Sequence, residues 1–240
     1  MRVFDLTPTL TSATGVFPGD VSFRRDVAMS FEAGHHLTLS SIQTTLHVGA
    51  HADAPSHYSP DGSGIDRRDP SLYIGPALVV RAKVERGDRV NESCFVGSFA
   101  EALKARTQLP GRLLVWTGTF PDPQNWNSDF ASFDPGFIEL VSGLGVRLIG
   151  IDTPSIDPES SKSLESHQMV RRLSLGVLEG LCLDSVPEGL FTLLAQPMKI
   201  GNGDAGLVRA LLLEGKIVDA SGEQPSAYTW VECENKQGLV

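Results

Sequence analysis

The sequence predicts a single α/β domain. Its 240 residues, 41% of them hydrophobic, can bury a substantial core, and chains of this length often form one domain. Runs with strand-like composition alternate with helical patterns, and no repeat of fixed period interrupts them. The domain is expected to span 1–215. The polar, weakly patterned segment 216–240 is expected to be its C-terminal extension, which either wraps a neighbour or frays.

Four runs rich in β-branched or aromatic residues, each closed by Gly, Pro or Asp, predict strands. They are LTLSSIQTTL (37–46), GPALVVRAKV (75–84), RLLVWTG (112–118) and VRLIGID (146–152). The last run ends at Asp152 before Thr153 and Pro154, which is typical of a turn. A supporting role for Asp152 beside a functional site is the alternative.

Four other segments have helical patterning. They are VGSFAEALKART (96–107), DPGFIELVSGLG (134–145), LESHQMVRRL (164–173) and DAGLVRALLLE (204–214). Asp134 followed by Pro135 is typical of an N-cap with proline at the first helical position. The segment GNGDAG (201–206) lacks the Lys-Ser/Thr end of a phosphate-binding loop, so it is interpreted as a turn entering the fourth helix.

Composition narrows the choice of partner. A net charge of -9 and a pI near 5.1 leave no basic surface for phosphates, so nucleic acid and anionic membranes are not expected partners. Small molecules remain the expected binding partners. The start MRVFDLTPTL lacks the features of a signal peptide, and no apolar run approaches the roughly 20 residues that span a bilayer. A soluble, cytoplasmic protein is therefore expected.

The cysteine pattern limits the kind of metal site. Cys94, Cys182 and Cys233 show no C-x-x-C pairing, which disfavours a disulfide framework and a thiolate-held zinc. Any metal should therefore be held by nitrogen and oxygen.

The segment LHVGAHADAPSH, residues 46–57, places three of the chain's six histidines and an aspartate close together. His47, His51, Asp53 and His57 are separated by even numbers of positions, so an extended chain would present their side chains on one side. A helix would turn Asp53 away, and the proline in this segment would interrupt it. The segment is therefore expected to be extended or looped.

A bend is needed between the first two histidines. A straight strand would hold His47 and His51 about 13 Å apart, too far for both to bind one ion at ~2.0–2.1 Å. Gly49 supplies the bend, because glycine adopts dihedral angles closed to other residues and lets the backbone approach a metal closely.

A polar loop with solvated side chains is the alternative interpretation of this segment. Three imidazoles, a carboxylate, a glycine and a proline in one stretch favour a metal site instead. Two histidines and one carboxylate leave coordination positions open, which is typical of a catalytic site. The pattern leaves His57 open as either a ligand or a proton carrier.

If Asp53 bridges two ions, more ligands must come from elsewhere in the chain. His167, the last histidine, lies in a predicted helix that Ser163 can cap, although a merely packed helical histidine is the alternative. Glu179 stands among apolar neighbours in a strand-like run, where a buried charge needs a cation. One helix would separate the two by about 18 Å, so SLG (174–176) is expected to turn the chain between them.

Taken together, these motifs resemble the metal-dependent hydrolases of the cyclase-like family, and within it the bacterial kynurenine formamidases. The resemblance covers about residues 3–214, through DLTPTL, FPGD, HVGAHADAPSHY, IGIDTPSIDP, SKSLESHQ, VLEGLCLD and DAGLVRALL. The H-x-G-x-H-x-D-x-P-x-H signature is specific to the superfamily. The order of the IDTPSIDP, SHQ and LEGL blocks is typical of the formamidases.

Carried over by residue, the resemblance implies that His47, His51 and Asp53 hold one zinc ion and that Asp53, His167 and Glu179 hold the other. Manganese is the alternative metal, since nitrogen and oxygen ligands suit both. The resemblance also implies a mixed β-rich core of the swivelling β/β/α kind, flanked by helices. It further implies a homodimer or higher homo-oligomer whose N-terminal region helps to shape the neighbouring site.

The implied activity is hydrolysis of N-formyl-L-kynurenine to L-kynurenine and formate in tryptophan breakdown. The ions would lower the pKa of a bridging water, and His57 would be the catalytic acid/base that moves its proton to the aniline nitrogen. A serine nucleophile is not expected, because no G-x-S-x-G motif is present. The alternatives are an isatin hydrolase or related cyclic-amide hydrolase of the same superfamily, and a non-catalytic metal-binding protein.

Two departures from the family pattern concern the substrate. Phe17 precedes Pro-Gly-Asp where relatives often have Trp, and Trp116 stands where they commonly have a basic residue. Either aromatic side chain could pack on the aryl ring of the substrate or fill the core or an interface. Phe17 is the candidate substrate-binding residue.

Overall fold

The structure is a computed structural model that describes residues 2–215 and the backbone of 229–231. Its strands are β1 (Arg2–Asp5), β2 (Arg24–Met29), β3 (Leu39–Gln43), β4 (His51–Asp53), β5 (Ile74–Arg81), β6 (Arg89–Val90), β7 (Arg112–Trp116), β8 (Ser132–Phe133), β9 (Leu148–Ile151), β10 (Gly176–Leu178), β11 (Gly189–Leu194), β12 (Ala205–Leu207), β13 (Leu211–Leu213) and β14 (Thr229–Val231). Its α-helices are α1 (Pro55–Tyr58), α2 (Gly97–Lys104), α3 (Pro135–Gly143) and α4 (Glu165–Leu173).

Within the described residues, eight strands form one mixed sheet in the order β10-β9-β7-β5-β11-β13-β1-β14. β10, β9, β7 and β5 run parallel, while β11 pairs antiparallel with both β5 and β13. All four residues of β9 are buried, as expected of a parallel strand covered on both faces.

Two hydrophobic cores flank this sheet. One contains Leu103 of α2, Ile138 of α3 and Val170 of α4, so these helices cover one side of the sheet. The other core contains Phe4 and Leu212, from the strands at the opposite end of the sheet. The prediction of an α/β fold with a mixed sheet flanked by helices is therefore confirmed.

The four predicted strands and three of the four predicted helices are present. Asp134 caps α3 as expected, because its side chain accepts a hydrogen bond from the backbone N–H of Gly136. The helix predicted for 204–214 is wrong, since this segment forms β12 and β13. β12 pairs with β4 and β13 fills the space between β1 and β11, so strand pairing overrides the local helical pattern.

Three smaller features complete the fold. A hairpin of β2 and β3 stands apart from the main sheet, with every residue of β3 exposed. Of the C-terminal extension, the structure describes only β14, which pairs in parallel with β1. None of the helices in the described part of the chain is both long and apolar enough to cross a membrane.

The structure describes two of the three cysteines, Cys94 and Cys182. Cys94 is a free, buried thiol, whereas Cys182 is disulfide-bonded, so the expectation drawn from the cysteine pattern does not hold for Cys182. Within the described residues, the clusters that could hold a metal contain histidine and carboxylate side chains without cysteine.

Candidate metal centre

The short strand β4 carries two of the predicted ligands. His51 and Asp53 are two positions apart on an extended strand, so their side chains lie on the same side. The backbones of His51 and Glu179 pair through reciprocal N–H···O hydrogen bonds of 3.2 and 3.0 Å. His51 Nε2 consequently lies 3.2 Å from Glu179 Oε2 and 3.5 Å from Asp53 Oδ1, and all three side chains are buried.

Two glycines allow the ligand-bearing segments to meet. Gly49 has a φ of +56°, which provides the predicted bend between His47 and His51. Gly180, which follows Glu179, has a φ of +65°, and a Cβ atom there would lie 2.2 Å from the carbonyl oxygen of Gly49. That carbonyl accepts a 2.9 Å hydrogen bond from His51 Nδ1. The close backbone approach therefore leaves Nε2 of His51 free to act as a ligand.

Helix α4 brings in His167. Its Nε2 lies 3.0 Å from Asp53 Oδ2 and 3.4 Å from Glu179 Oε1. Its Nδ1 donates a 2.8 Å hydrogen bond to the buried Asp157, which also accepts the backbone N–H groups of Ser166 and His167. The expected Ser163 cap is therefore wrong: Asp157 satisfies the first turn, while the Ser163 hydroxyl bonds the Glu165 side chain.

His47 lies on the other side of Asp53. Its Nδ1 is 3.2 Å from Asp53 Oδ1, and its Nε2 donates a 3.0 Å hydrogen bond to Asp204. Asp204 immediately precedes β12, which pairs with β4, so strand pairing carries this carboxylate to the site.

The three histidines that are candidate ligands, His47, His51 and His167, share one hydrogen-bonding pattern. Each uses one ring nitrogen as a donor to an outer oxygen, on Gly49, Asp157 or Asp204. A neutral imidazole then presents a lone pair at its other nitrogen, and in all three cases that nitrogen faces a carboxylate oxygen. Lone pairs on both sides repel one another unless a cation lies between them.

The donor set fits divalent metal ions. His51 Nε2 and Asp53 Oδ1 are buried without any hydrogen-bond partner, which is costly unless something else satisfies them. Ligand atoms around a tetrahedral ion at ~2.0–2.1 Å stand about 3.3 Å from one another. The closest nitrogen–oxygen pairs among these five side chains lie 3.0 to 3.5 Å apart. The structure brings all five predicted ligands together. Within the described residues, two groups of three side chains have ligand atoms within 4.8 Å of one another: His47, Asp53 and His57, and His51, Asp53 and Glu179. This grouping differs from the division that the resemblance implies, because it includes His57 and leaves out His167.

The close approach of histidines and carboxylates shifts their pKa values. Burial opposes the protonation of His47, but the neighbouring carboxylates of Asp53 and Asp204, which accept hydrogen bonds from the protonated ring, raise its pKa to about 9. The pKa of His167 is likewise raised despite burial, through its hydrogen bonds to Asp157 and Asp53. Burial works against ionisation of Asp53, yet the hydrogen bond from His167 and the close approach of His47 hold its pKa well below the ordinary value.

His57 lies at the edge of this cluster. It is in α1, which begins at Pro55, so the extended run ends before it. Its ring centroid is 4.1 Å from that of His47 and 5.8 Å from that of His167. Burial lowers the pKa of His57. The negative charge of Asp53 opposes this shift, whereas the positive charges of His47 and His167 add to it.

A cavity of about 490 Å³ opens over the cluster, lined by His47, His51, His57, His167 and Glu179. Phe17 lines this cavity, as predicted for a substrate-binding residue, and packs edge-to-face on Trp126 at 5.8 Å. Trp116 does not line it, because its indole N–H bonds Asp184 and its ring packs against the core. Substrate contact by Trp116, one of its two predicted roles, is not supported by this position.

Sequence reasoning missed three residues of the site. Asp157 accepts a hydrogen bond from His167, and Asp204 accepts one from His47. Trp126 lines the cavity together with Phe17, and these two rings are called the aromatic wall below. Asp157 lies in the IDTPSIDP block, a signal that could have identified it. The segment that contains Asp204 has the local pattern of a turn, and nothing in it indicates the pairing of β12 with β4 that places Asp204 at the site. Asp152 is buried and accepts hydrogen bonds from Thr117 and Gly118, so it stabilises the cavity wall rather than a turn alone.

A family described as "Putative cyclase" matches residues 4–158 of the chain. The kynurenine formamidase of Delftia acidovorans is 42% identical over 211 residues, covering 88% of this chain and 97% of that protein. The kynurenine formamidase of Paracidovorax citrulli is 41% identical over 211 residues, covering 88% and 95%. That of Bordetella pertussis is 40% identical over 214 residues, covering 89% and 98%.

Solved structures share the fold at lower identity. One described as a potential metal-dependent hydrolase with cyclase activity has a TM-score of 0.74 and 20% identity, covering 90% of this chain and 98% of its own. An isatin hydrolase bound to the product analogue thioisatinate has a TM-score of 0.73 and 19% identity, covering 89% and 92%. At such identities these likenesses establish the fold alone.

Proposed function

The chain belongs to the cyclase family, and from this premise we propose that it is a metal-dependent arylformamidase that hydrolyses N-formyl-L-kynurenine to L-kynurenine and formate. Kynurenine formamidases similar to it along about nine tenths of the chain support the substrate. One observation carries the chemistry: three imidazole nitrogens face the carboxylates of Asp53 and Glu179 across distances that suit metal ligands.

The proposed centre holds two divalent ions per subunit, zinc by preference and manganese as the alternative. His47, His51 and Asp53 would hold one ion, and Asp53, His167 and Glu179 the other. When bound, such ions supply Lewis acidity that lowers the pKa of water and polarises a carbonyl oxygen.

His57 moves the proton in this proposal. Its lowered pKa leaves the ring unprotonated near neutral pH, so it can accept a proton from water as the water oxygen bonds the formyl carbon. An anilide nitrogen leaves poorly as an anion. His57 therefore returns the proton to that nitrogen as the C–N bond breaks, and the products are the free aryl amine and formate.

The aromatic wall binds the ring of the substrate. Phe17 and Trp126 line the cavity beside the candidate metal centre and contact each other edge-to-face, which leaves apolar surface for an aryl group. Phe17 is 42% exposed, so part of its ring is available for such a contact.

Formate release from N-formylkynurenine tests this function directly. Protein loaded separately with zinc and with manganese should release formate, and isatin should not be opened at a comparable rate. Rapid isatin opening without formate release would instead support a cyclic-amide hydrolase. Metal binding with neither substrate consumed would support a non-catalytic metal-binding protein.

The proposed assembly is a homodimer or higher homo-oligomer. On the β2–β3 hairpin and its turn, Val27, Phe31, Leu39 and Ile42 are exposed by 49, 64, 55 and 58%. A two-stranded hairpin is marginally stable by itself, and exposed apolar side chains on it favour an interface. A second copy of the chain is the partner that fits this surface in the proposal.

Light scattering during gel filtration tests this assembly. Ile42→Asp should shift the protein towards a monomer, because it would bury a charge in the interface. Leu190→Asp is the matched control, since Leu190 is 62% exposed on β11, away from the hairpin. A monomeric wild type, or equal effects of the two changes, would contradict the proposed interface.

A further inference from the structure

The cavity over the candidate metal centre has acidic walls. Within the described residues, Asp20, Asp152, Glu159 and Asp184 line it above the metal ligands, and no lysine or arginine does. The cavity is more than an acidic surface, because His51 in its lining is 1% exposed and its Nε2 has no hydrogen-bond partner. A ligand that enters this cavity therefore meets negative charge on the way to the reacting centre.

These four carboxylates are not equally available to a ligand. Asp152 is buried and already accepts the backbone N–H groups of Thr117 and Gly118 and the Thr117 hydroxyl. Asp20 and Asp184 are exposed, where water screens their charge. Glu159 is half-buried, so a charge-assisted hydrogen bond at this position is less screened.

Glu159 is also held against the aromatic wall. The indole N–H of Trp126 donates a 2.6 Å hydrogen bond to Glu159 Oε2. Trp126 in turn packs edge-to-face on Phe17 at 5.8 Å and on Phe120 at 5.7 Å. A carboxylate can accept several hydrogen bonds, so the contact with Trp126 leaves capacity for another donor.

We propose that Glu159 determines specificity by accepting the α-ammonium group of the amino-acid side chain of the substrate. The inference rests on the proposed function, in which the aryl ring lies against Phe17 and Trp126. A carboxylate beside that wall lies where a charged substituent of the ring would pass. The enzyme therefore selects aryl formamides that carry an ammonium group over those that lack one.

The charge distribution favours an ammonium group over a carboxylate at this position. The described lining offers no lysine or arginine to pair with the α-carboxylate of the substrate, and its histidines belong to the candidate metal centre. The α-carboxylate consequently faces solvent at the mouth of the cavity, while the ammonium group turns towards Glu159. Like charges brought together in a cavity would repel, which disfavours purely anionic substrates.

The test compares two substrates that differ only in the ammonium group. These are N-formylkynurenine and its deamino analogue, 4-(2-formamidophenyl)-4-oxobutanoate, assayed by formate release from zinc-loaded protein. The wild type should have the higher kcat/KM for N-formylkynurenine. Glu159→Gln keeps an oxygen that can accept the Trp126 N–H but removes the charge, so it should lower the ratio of the two kcat/KM values about tenfold, mainly through KM.

Glu101→Gln is the matched control. Glu101 lies on α2, outside the cavity lining, and pairs on the surface with Lys104, so the same loss of charge there should leave the ratio unchanged. Zinc content and melting temperature of each variant show whether the centre and the fold are intact.

The outcomes separate this inference from the proposed function. If neither aryl formamide releases formate with wild-type protein, the proposed function itself is wrong. If both are cleaved and the wild type shows no preference, Glu159 does not select the ammonium group, whatever the variant does. A preference that survives Glu159→Gln unchanged would overturn the inference as well.

Discussion

Asp157 Oδ2 lies 2.8 Å from His167 Nδ1, and both side chains are buried. The same carboxylate accepts the backbone N–H groups of Ser166 and His167, so one side chain both begins helix α4 and orients the ring. Nδ1 of His167 therefore points to Asp157, and Nε2 points to Asp53.

Replacing Asp157 should therefore weaken metal binding without removing a ligand. Asp157→Asn can still accept the Nδ1–H group but lacks the charge that makes the imidazole a better ligand, so we expect a 10–100-fold lower affinity. Competition with a chelating dye measures this. Asp129→Asn, at an exposed ion pair with Arg86, is the control. Equal affinities of the two variants would show that Asp157 only caps the helix.

Removing the metal should lower thermal stability. A metal ion that binds only the folded state stabilises it by about 2.7 kcal/mol when the free ion concentration is a hundred times its Kd. Chelator-treated protein should melt at a lower temperature, and added zinc should restore the transition. Asp53→Asn should abolish this response, because Asp53 lies between the histidines on both sides of the site. A zinc response retained in that variant would exclude Asp53 as a bridge.

His57 should be needed for turnover but not for metal binding. His57→Ala should lower formate release at least ~10²-fold while the metal content stays at the wild-type level, as expected for an acid/base residue. Elemental analysis together with the formate assay measures both. Loss of metal in this variant would make His57 a ligand, which is the alternative left open by the sequence.

Metal affinity should rise with pH. In the metal-free protein, burial disfavours the protonated ring, but Asp53 and Asp204 raise the pKa of His47 to about 9. An ion must displace this proton, so apparent affinity should increase up to about pH 9 and then level off. Calorimetric titrations at pH 7.5 in buffers of different protonation enthalpy should detect proton release. An affinity that does not change between pH 6.5 and 9 would contradict the raised pKa.

The raised pKa of His47 also makes the stability of the metal-free fold depend on pH, and this stability falls as the pH rises. Because the folded-state pKa of His47 is raised from 6.5, its stabilisation is fully present below pH 6.5 and is lost as the pH rises through about 9. Asp204→Asn should reduce this pH dependence in denaturant unfolding of chelator-treated protein, since it removes one of the groups that raise the pKa.

Phe17 and Trp116 should differ in their effect on substrate binding. Phe17→Ala should raise KM for N-formylkynurenine with little change in metal content, because Phe17 lines the cavity. Trp116→Ala should leave KM near the wild-type value, because Trp116 packs against the core beside Asp184. A larger KM effect from Trp116 than from Phe17 would reverse these assignments.

The proximity of the five candidate ligands was predictable, because local signals indicated each of them. Even spacing placed His51 and Asp53 on one side of a strand, and the charge of Glu179 among apolar residues indicated a cation. Asp204 and Trp126 were not predictable, since only the pairing of β12 with β4 and the packing of distant aromatic rings bring them to the cavity. The helix predicted at 204–214 failed for the same reason, because long-range pairing is absent from a local pattern.

Because Gly180 has no side chain, the carbonyl oxygen of Gly49 can lie where a Cβ atom would otherwise stand. Even a methyl group at 180 would displace the oxygen that sets the tautomer of His51. A substitution at 180 would therefore impair the enzyme although glycine offers no side-chain ligand to a metal. Libraries built to alter selectivity should leave 180 unchanged and vary the mouth of the cavity instead.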